Sequence, residues 1–190
     1  MGTLDFYDSE AERYAALTLS ADVSDVRDRF IMMLPRGASV LDLGCGSGRD
    51  TFAFSRLGFE VTPVDGSRGM CAQAERYTGM KVRNLLFEDL DYEEEFDGVW
   101  AHASLLHVSS ADLPQVLSLV RRSLKKGGMF FTCFKKGDFE GEREGRMYTD
   151  MTSESLRELL EDCGFSVKEV WERTAAETGV EWVNALSMKD

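Results

Sequence analysis

The sequence predicts a doubly wound α/β fold: a mostly parallel, Rossmann-like sheet of seven strands with helices on both faces. Short apolar runs alternate with helical patterns along most of the 190 residues, which is typical of parallel strands joined by crossover helices. Only a short turn-like segment, residues 174–179, separates the last two predicted strands. Because a crossover helix does not fit there, we expect an antiparallel C-terminal strand.

The predicted elements follow in regular order. An N-terminal helical stretch over residues 9–34 ends at Pro35. Strands are expected at 39–43, 60–64, 81–87, 97–101, 129–134, 165–173 and 180–187. Further helices are expected at 49–57, 66–77, 111–126 and 153–163. Thr152 can cap the helix predicted at 153–163. The helix predicted at 111–126 has a typical C-terminus, since Lys125 and Lys126 precede Gly127.

We expect one domain over residues 1–190, in which residues 1–37 form a helical cap segment. The least structured stretch is 136–147, which is rich in glycine and charge. It is either an ordinary surface loop or a flap over a site at the sheet edge. Arg146 within it could contact an anionic substrate, but a solvated loop arginine is the interpretation we favour.

Composition limits the partners and the compartment. The formal net charge is −12, and the short basic pairs lack interleaved aromatics, which argues against a nucleic-acid partner. No apolar run approaches the ~20 residues that span a bilayer, and the N-terminus is acidic where a secretory signal is basic. Four separated cysteines and two histidines favour neither a metal site nor disulfides. We expect a cytoplasmic monomer or weak homodimer with no metal and no membrane partner.

The most informative segment is VLDLGCGSGRD, residues 40–50, where a buried strand runs through glycines into a helix. Glycine lets the backbone approach a ligand closely, and the helix start presents N–H groups to an anion. In an open α/β sheet this turn lies at the carboxyl ends of the strands, where ligands bind. Taken alone, the segment could also be a tight structural turn.

Two acids at later strand ends strengthen the ligand-binding interpretation. Asp65 ends the second predicted strand, where a carboxylate can accept both ribose hydroxyls of a nucleoside. Asp89 follows the third, where it can accept from an adenine amino group. The pattern Gly44-x-Gly46-x-Gly48 lacks the third glycine of a dinucleotide fingerprint, since Arg49 occupies that position. The site therefore suits a nucleoside with a small anionic tail better than a pyrophosphate.

Four segments resemble the successive motifs of class I S-adenosylmethionine-dependent methyltransferases: VLDLGCGSGRD, the acid in VTPVDGS, FEDL and FDGVWAHASLLHV. The similarity runs from Ser39 to the C-terminus. Within that class, WAHASLLHV, GRMYTDMTSESLRELLEDCGF and EWVNALSMK resemble small stand-alone bacterial enzymes of the tellurite-resistance type. The resemblance implies S-adenosylmethionine as cofactor. It places the cofactor's methionine part at Gly44, Cys45 and Gly46, its amino group at Asp42, and its ribose at Asp65. The remaining implied contacts are Gly66, Met70, Asp89 and Leu90 around the adenine, and Ala101 and His102 beside the sulfonium.

Other residues are candidates for a role in catalysis or in lining the pocket, and each also has a purely structural interpretation. His107 could be a general base or could pack beneath its turn, and His102 could face the pocket. Tyr7 and Tyr14 lie about two helical turns apart and could close the pocket over the cofactor or anchor the helix. Arg49 could reach the cofactor carboxylate or decorate its helix.

We expect a methyltransferase that acts on a small molecule, with sulfur, oxygen or a metalloid oxyanion as acceptor. In-line transfer from an activated donor needs alignment more than a dedicated dyad, and the sequence shows no such dyad. The alternatives are a non-catalytic module that binds S-adenosylmethionine or a nucleoside, and a nicotinamide oxidoreductase.

The first prediction concerns Asp65. Asp65→Ala should lower the affinity for S-adenosylmethionine at least tenfold, because the ribose loses its charged acceptor. Calorimetric titration measures this, and an unchanged affinity would remove Asp65 from the ribose site.

Overall fold

The computed structural model describes residues 2–190. Its strands are β1 (Ser39–Leu43), β2 (Glu60–Asp65), β3 (Arg83–Asn84), β4 (Phe96–Ala101), β5 (Leu124–Lys135), β6 (Glu140–Arg143), β7 (Arg146–Thr149), β8 (Phe165–Thr174) and β9 (Glu181–Lys189). Its helices are α1 (Thr3–Ser9), α2 (Ala11–Thr18), α3 (Ser24–Ile31), α4 (Arg49–Arg56), α5 (Arg68–Thr78), α6 (Leu113–Ser123) and α7 (Ser153–Asp162).

One seven-stranded sheet organises the fold, in the order β3-β2-β1-β4-β5-β9-β8. Strand β1 pairs in parallel with both β2 and β4, and β2–β3 and β4–β5 are also parallel. Strand β9 pairs antiparallel with β5 and β8. The predicted fold class is confirmed. Because the chain leaves β1 toward one side and later returns to β4 on the other, a crevice opens at the carboxyl ends of these strands.

Side-chain alternation along the strands builds a core on each face of the sheet. Leu41 and Phe130 belong to one buried cluster, whereas their chain neighbours Val40 and Phe131 belong to the other. Within residues 2–190, no helix combines the length and the apolar character needed to cross a membrane.

The N-terminal region differs from the single helix predicted over residues 9–34. It forms three short helices, beginning at Thr3, and the helical structure is interrupted between α2 and α3. At that break Asp22 Oδ1 accepts a hydrogen bond from the Ser24 amide (2.9 Å), a local turn that competes with helix. Helix α3 then packs Phe30 onto Trp100, at a ring-centroid distance of 5.3 Å.

The third strand is much shorter than the predicted 81–87. Only Arg83 and Asn84 pair with β2, because the Asn84 side-chain amide donates to the backbone carbonyls of Asp65 and Gly66 (3.0 and 2.8 Å) at the point where β2 ends. The chain then turns through a 3₁₀ turn, Phe87–Asp89. The prediction of a full strand here was wrong.

The boundary between α6 and β5 was also predicted wrongly. The helix ends at Ser123, and Leu124 already begins β5. Leu124 is buried and pairs with Phe96, so tertiary packing overrides the helical pattern. Lys125 pairs with Asp97 of β4 (3.0 Å) instead of completing the helix.

Residues 136–147 contain ordered structure where the sequence suggests the least. Strands β6 and β7 form an antiparallel hairpin, joined by Glu144 and Gly145 with φ of 52° and 78°. Two consecutive positive φ angles are typical of the type I′ turn that suits a tight hairpin. The amide of Met147 donates to Thr3 Oγ1 (2.9 Å), so the hairpin is fastened to α1. As predicted, Thr152 caps α7 by accepting from the Ser155 amide.

The second prediction concerns Gly48, which caps α4 with a φ of 81°. A Cβ at this position would lie 2.8 Å from Thr78 Cγ2 and 3.1 Å from Ala74 Cβ of α5. Gly48→Ala should therefore lower the free energy of unfolding by about 2–4 kcal/mol, because backbone strain and steric overlap combine. Urea unfolding measures the loss.

Gly58 is the matched control, with a φ of 87° and, among the described residues, no atom within 4 Å of the position that a Cβ would take. Gly58→Ala should cost only about 1–2 kcal/mol, the backbone part alone. Adding Thr78→Ser to Gly48→Ala should restore part of the loss, since it removes the clashing methyl group. Equal losses at the two glycines would contradict the role of the α5 contact.

Candidate functional site

A cavity of about 1270 Å³ opens at the carboxyl ends of β1, β2 and β4. It exceeds the ~300–1,000 Å³ of ordinary ligand sites. The N-terminal helices, the glycine loop and the segment before β9 supply its walls. Of the residues predicted from sequence, it is lined by Tyr7, Tyr14, Asp42, Gly44, Cys45, Gly46, Arg49, Asp65, Gly66, Met70, His102 and His107.

Three other predicted residues are placed elsewhere. Leu90 and Ala101 lie in the hydrophobic core, because each is the apolar residue with which its segment anchors to the sheet. Asp89 is exposed at the end of the 3₁₀ turn. In the segment after β3, the residues that line the cavity are Leu86, Phe87 and Glu88. The 3₁₀ turn decides which side chains of this segment face the crevice, and the contacts expected of Asp89 and Leu90 with the adenine stay predictions.

The glycine loop is held by backbone hydrogen bonds to β2. The amides of Gly44 and Cys45 both donate to the Val64 carbonyl (2.9 Å each). A Cβ on Gly44 would lie 2.4 Å from Ser104 Cβ, and Ser104 Oγ donates to the Leu43 carbonyl (2.7 Å). Only glycine fits at position 44, because Ser104 in the segment after β4 packs directly against the loop. This contact fixes the floor of the cavity.

Asp65 joins the loop to the end of β2. Its Oδ2 accepts from the Gly46 amide and its Oδ1 from the Ser67 amide, each at 2.9 Å. Burial raises the pKa of this carboxyl, although both hydrogen bonds oppose the shift. Since each carboxylate oxygen has two acceptor positions, Asp65 can still accept from a ligand in the cavity.

Asp42 is a buried carboxyl at the end of β1, with 2% of its surface exposed. Thr51 Oγ1 donates to its Oδ2 (2.5 Å). Burial, together with the nearby charge of Asp50, raises the pKa of Asp42 to about 7. A buried carboxylate of this kind is stabilised by a cation brought into the cavity.

The negative charge of Asp50, a second buried carboxyl near Asp42, is balanced by neighbouring donors. It accepts from Arg27 Nη1 (3.1 Å), Arg49 Nη2 (2.6 Å) and Trp100 Nε1 (3.0 Å). Burial alone would raise the pKa of Asp50, but the Arg49 guanidinium outweighs it, and the pKa is held at about 2. Arg49 also donates to the Thr18 carbonyl (3.4 Å), so its guanidinium is tied to α2 and Asp50 as well as lining the cavity.

Tyr7 and His107 meet across the cavity mouth, 2.8 Å from Oη to Nε2. The other ring nitrogen, Nδ1, lies 2.6 Å from the Met147 carbonyl. A carbonyl only accepts, so Nδ1 carries the proton and Nε2 accepts from the Tyr7 hydroxyl. Burial lowers the pKa of His107 to about 4, which keeps the ring neutral at pH 7.

Known proteins share parts of this sequence and the fold. A family described as "Methyltransferase domain" matches residues 40–128. Across the fold, the chain is similar to a 1,6-didemethyltoxoflavin-N1-methyltransferase of Burkholderia thailandensis, solved with 1,6-didemethyltoxoflavin and S-adenosylhomocysteine bound, with 25% identity and a TM-score of 0.82 over 97% of this chain and 86% of that one. Both matches support a class I S-adenosylmethionine-dependent methyltransferase domain.

Two curated relatives match shorter segments of this chain. A ubiquinone biosynthesis O-methyltransferase of Nitrobacter winogradskyi is 36% identical over 98 residues, 49% of this chain and 37% of the relative. A cypemycin N-terminal methyltransferase of a Streptomyces species is 30% identical over 110 residues, 55% of this chain and 45% of the relative. The matched segments therefore span less than half of these relatives' own length. The narrower resemblance to the tellurite-resistance type stays a prediction.

His102 lies inside the network around Asp50. Its ring stacks on Trp100 (14° between planes), and Arg49 Nη2 approaches its Nδ1 at 3.5 Å. Burial, and then the Arg49 charge, lower the pKa of His102 to about 4. The Cys45 thiol is also neutral, since burial raises its pKa well above the usual value.

One contact between α1 and α5 could not be found from sequence. Asp8 Oδ1 of α1 accepts from Ser67 Oγ (2.6 Å) and from the Gly69 amide (2.9 Å). A Cβ on Gly69 would lie 2.8 Å from Ala11 Cβ, so α5 admits the N-terminal helices only because glycine stands there. Helix α1 thereby caps α5 from outside, and no local pattern indicates a partner so distant in sequence.

The third prediction contrasts the two buried carboxyls. The folded pKa of Asp42 is about 7, above the ~3.9 of an unfolded aspartate, so the folded chain binds more protons and its stability falls as the pH rises from about 4 to 7. Asp42→Asn should remove this loss and raise the free energy of unfolding at pH 8 by about 1–3 kcal/mol. Urea unfolding at pH 5 and pH 8 measures it.

Asp50→Asn is the comparison, and the opposite sign is expected. The folded pKa of Asp50 lies below that of an unfolded aspartate, so its charge stabilises the fold above about pH 4 and this contribution is lost on acidification. Asp50→Asn should destabilise at pH 5 and pH 8 by about 3–5 kcal/mol, because it leaves Arg27 and Arg49 buried without their carboxylate. Losses of the same sign in both variants would contradict the assignment.

Proposed function

We propose that this chain transfers the methyl group of S-adenosylmethionine to a small-molecule acceptor. The observation that carries the proposal is the convergence of the glycine loop, the uncompensated Asp42 and the loop-bound Asp65 on one cavity. These residues fit the cofactor's chemistry: a cationic amino group suits Asp42, and a pair of ribose hydroxyls suits the remaining acceptor positions of Asp65. Met70 and Gly66 supply surface for the adenine.

When bound, the cofactor supplies a methyl group already activated by a positive sulfur. The chain then has to align the acceptor and keep water out, and alignment can contribute about 7–11 kcal/mol. Tyr7 and Tyr14, edge to face at 5.0 Å, close the cavity on the side of the N-terminal helices. With pKa values of about 4, His102 and His107 are weak bases, which favours an acceptor that is nucleophilic without losing a proton to the protein.

The acceptor atom is part of the proposal. The relatives' names include an O-methyltransferase, an N1-methyltransferase and an N-terminal methyltransferase, which favours oxygen or nitrogen alongside the sulfur and oxyanion acceptors expected from sequence. We further propose one domain with residues 1–37 as a cap, no nucleic-acid partner, and a monomer or weak homodimer. A non-catalytic binding module remains the alternative.

The fourth prediction is pH-dependent cofactor binding. S-adenosylhomocysteine should bind up to about tenfold more tightly at pH 8 than at pH 6, because Asp42 must ionise, near pH 7, to pair with the amino group. In Asp42→Asn, binding should be weaker and nearly independent of pH over this range. Calorimetry measures both.

Asp91→Asn is the matched control, because Asp91 is exposed and pairs with Arg83 outside the cavity. It should bind S-adenosylhomocysteine like the unchanged chain. Failure to bind either form of the cofactor would reject the proposed function. Tight binding without methyl transfer to any of a broad acceptor panel, followed by mass spectrometry, would favour the binding module.

A further inference from the structure

A second, smaller cavity of about 180 Å³ adjoins the first. Five residues line both: Tyr7, Tyr14, Ala103, His107 and Trp182. The smaller cavity is completed by Leu106, Lys135, Arg146 and Tyr148. Its walls are therefore largely aromatic, and two of its lining residues are cationic.

Arg146, on β7, is the first of these cations. The sequence favoured a solvated loop arginine, but its side chain is only 12% exposed, because the hairpin folds it under α1. The guanidinium carbon lies 4.4 Å from the ring centroid of Phe6 and 5.3 Å from that of Tyr148. Among the described residues its Nε is buried without a hydrogen-bond partner. Its carboxylate partner, Glu144, is 84% exposed, and such pairs contribute little.

Lys135, at the end of β5, is the second cation. Its Nζ lies 4.1 Å from the centroid of the same Tyr148 ring, and within residues 2–190 no carboxylate lies within ion-pair distance of it. Burial lowers the pKa of Lys135, while the nearby charge of Asp150 opposes the shift. Asp150 is itself bound by Arg143 through both oxygens (3.2 and 2.7 Å).

Two cations with so little compensation are unexpected in a chain whose net charge is −12. Removing charge from water is costly unless the charge is paired, and cation–π contacts offset only about 0.5–2 kcal/mol each. A ligand anion would complete the pairing. Arg146 still has a buried N–H directed to no protein acceptor in the described chain, as an arginine that receives an anion requires.

The size and walls of the cavity limit the rest of the ligand. An engineered apolar cavity of about 150 Å³ holds one benzene molecule, so a cavity of about 180 Å³ accommodates one ring with small substituents. Tyr7, Tyr14, Tyr148 and Trp182 offer faces and edges for an aromatic ring.

We propose that this cavity is the acceptor subsite, and that it takes a single-ring aromatic carboxylate whose anionic group is bound by Arg146 and Lys135. The inference rests on the proposed function, because the cofactor would occupy the larger cavity beside it. The anionic group is the feature recognised. A neutral ring of the same size lacks it, and an inorganic oxyanion lacks the ring.

Calorimetry on the chain saturated with S-adenosylhomocysteine tests the proposal. Benzoate and 4-hydroxybenzoate are the probes, benzamide and benzyl alcohol are their neutral counterparts, and selenite and tellurite are oxyanions without a ring. The two aromatic carboxylates should bind at least tenfold more tightly than either neutral compound or either oxyanion. Tighter binding of the neutral compounds or of the oxyanions would overturn the proposal, as would no binding of benzoates.

Matched variants assign the binding to the two cations. Arg146→Gln and Lys135→Gln should each weaken benzoate at least tenfold, since a charge-assisted hydrogen bond is lost. Arg146→Lys should retain the preference for anions. Lys136→Gln and Arg157→Gln change the charge equally at exposed residues and should bind benzoate like the unchanged chain. Unaltered benzoate affinity in both glutamine variants would refute the assignment.

Affinity for S-adenosylhomocysteine separates the subsite proposal from the proposed function. It should be the same in all of these variants, which shows that each has folded and kept the larger cavity. If the unchanged chain does not bind S-adenosylhomocysteine, the proposed function fails. If it binds the cofactor but does not discriminate among the probes, only the subsite proposal fails.

Discussion

The buried charge of Asp50 holds three parts of the site together. Its carboxylate accepts from Arg27 on α3, from Arg49 at the start of α4 and from Trp100 on β4. Because an isolated carboxylate is costly in the interior, these donors cannot move apart independently. Asp50 therefore fixes the helix that follows the glycine loop against both the central sheet and the N-terminal region. Asp50 also forms ion pairs with both of these guanidinium groups, and among the described residues none forms one with Asp42.

That unequal distribution of charge gives the larger cavity its character. Two carboxyls a short distance apart have pKa values of about 2 and about 7, and the difference arises from their partners rather than their depth. Asp50, paired with Arg27 and Arg49, stabilises the fold. The carboxylate of Asp42, whose charge is costly when buried, would be stabilised by a cationic ligand. Burial makes the charged form of Asp42 costly to the stability of the fold.

The entrance to the site depends on segments that are distant in sequence. Asp8 binds α1 to the start of α5. The hydroxyl of Thr3 accepts a hydrogen bond from the amide of Met147 in the hairpin. The Met147 carbonyl in turn sets the tautomer of His107. The same hairpin places Arg146 against the rings of Phe6 and Tyr148. One set of backbone contacts thus positions both the closing helix and the charged wall of the smaller cavity.

The sequence by itself determined the order of the seven strands of the main sheet and of the helices between them, the antiparallel end of the sheet and the position of the glycine loop with Asp42 and Asp65, because each depends on local periodicity or on a strand end. Only the tertiary structure decided which side chains after β3 face the crevice, where α6 gives way to β5, and that the hairpin of β6 and β7 begins within residues 136–147. Those outcomes depend on contacts such as Asn84 with β2, Leu124 with the core and Met147 with Thr3. Arg146 has the sequence pattern of a surface residue because the aromatic rings around it come from separate segments, and only folding brings them together.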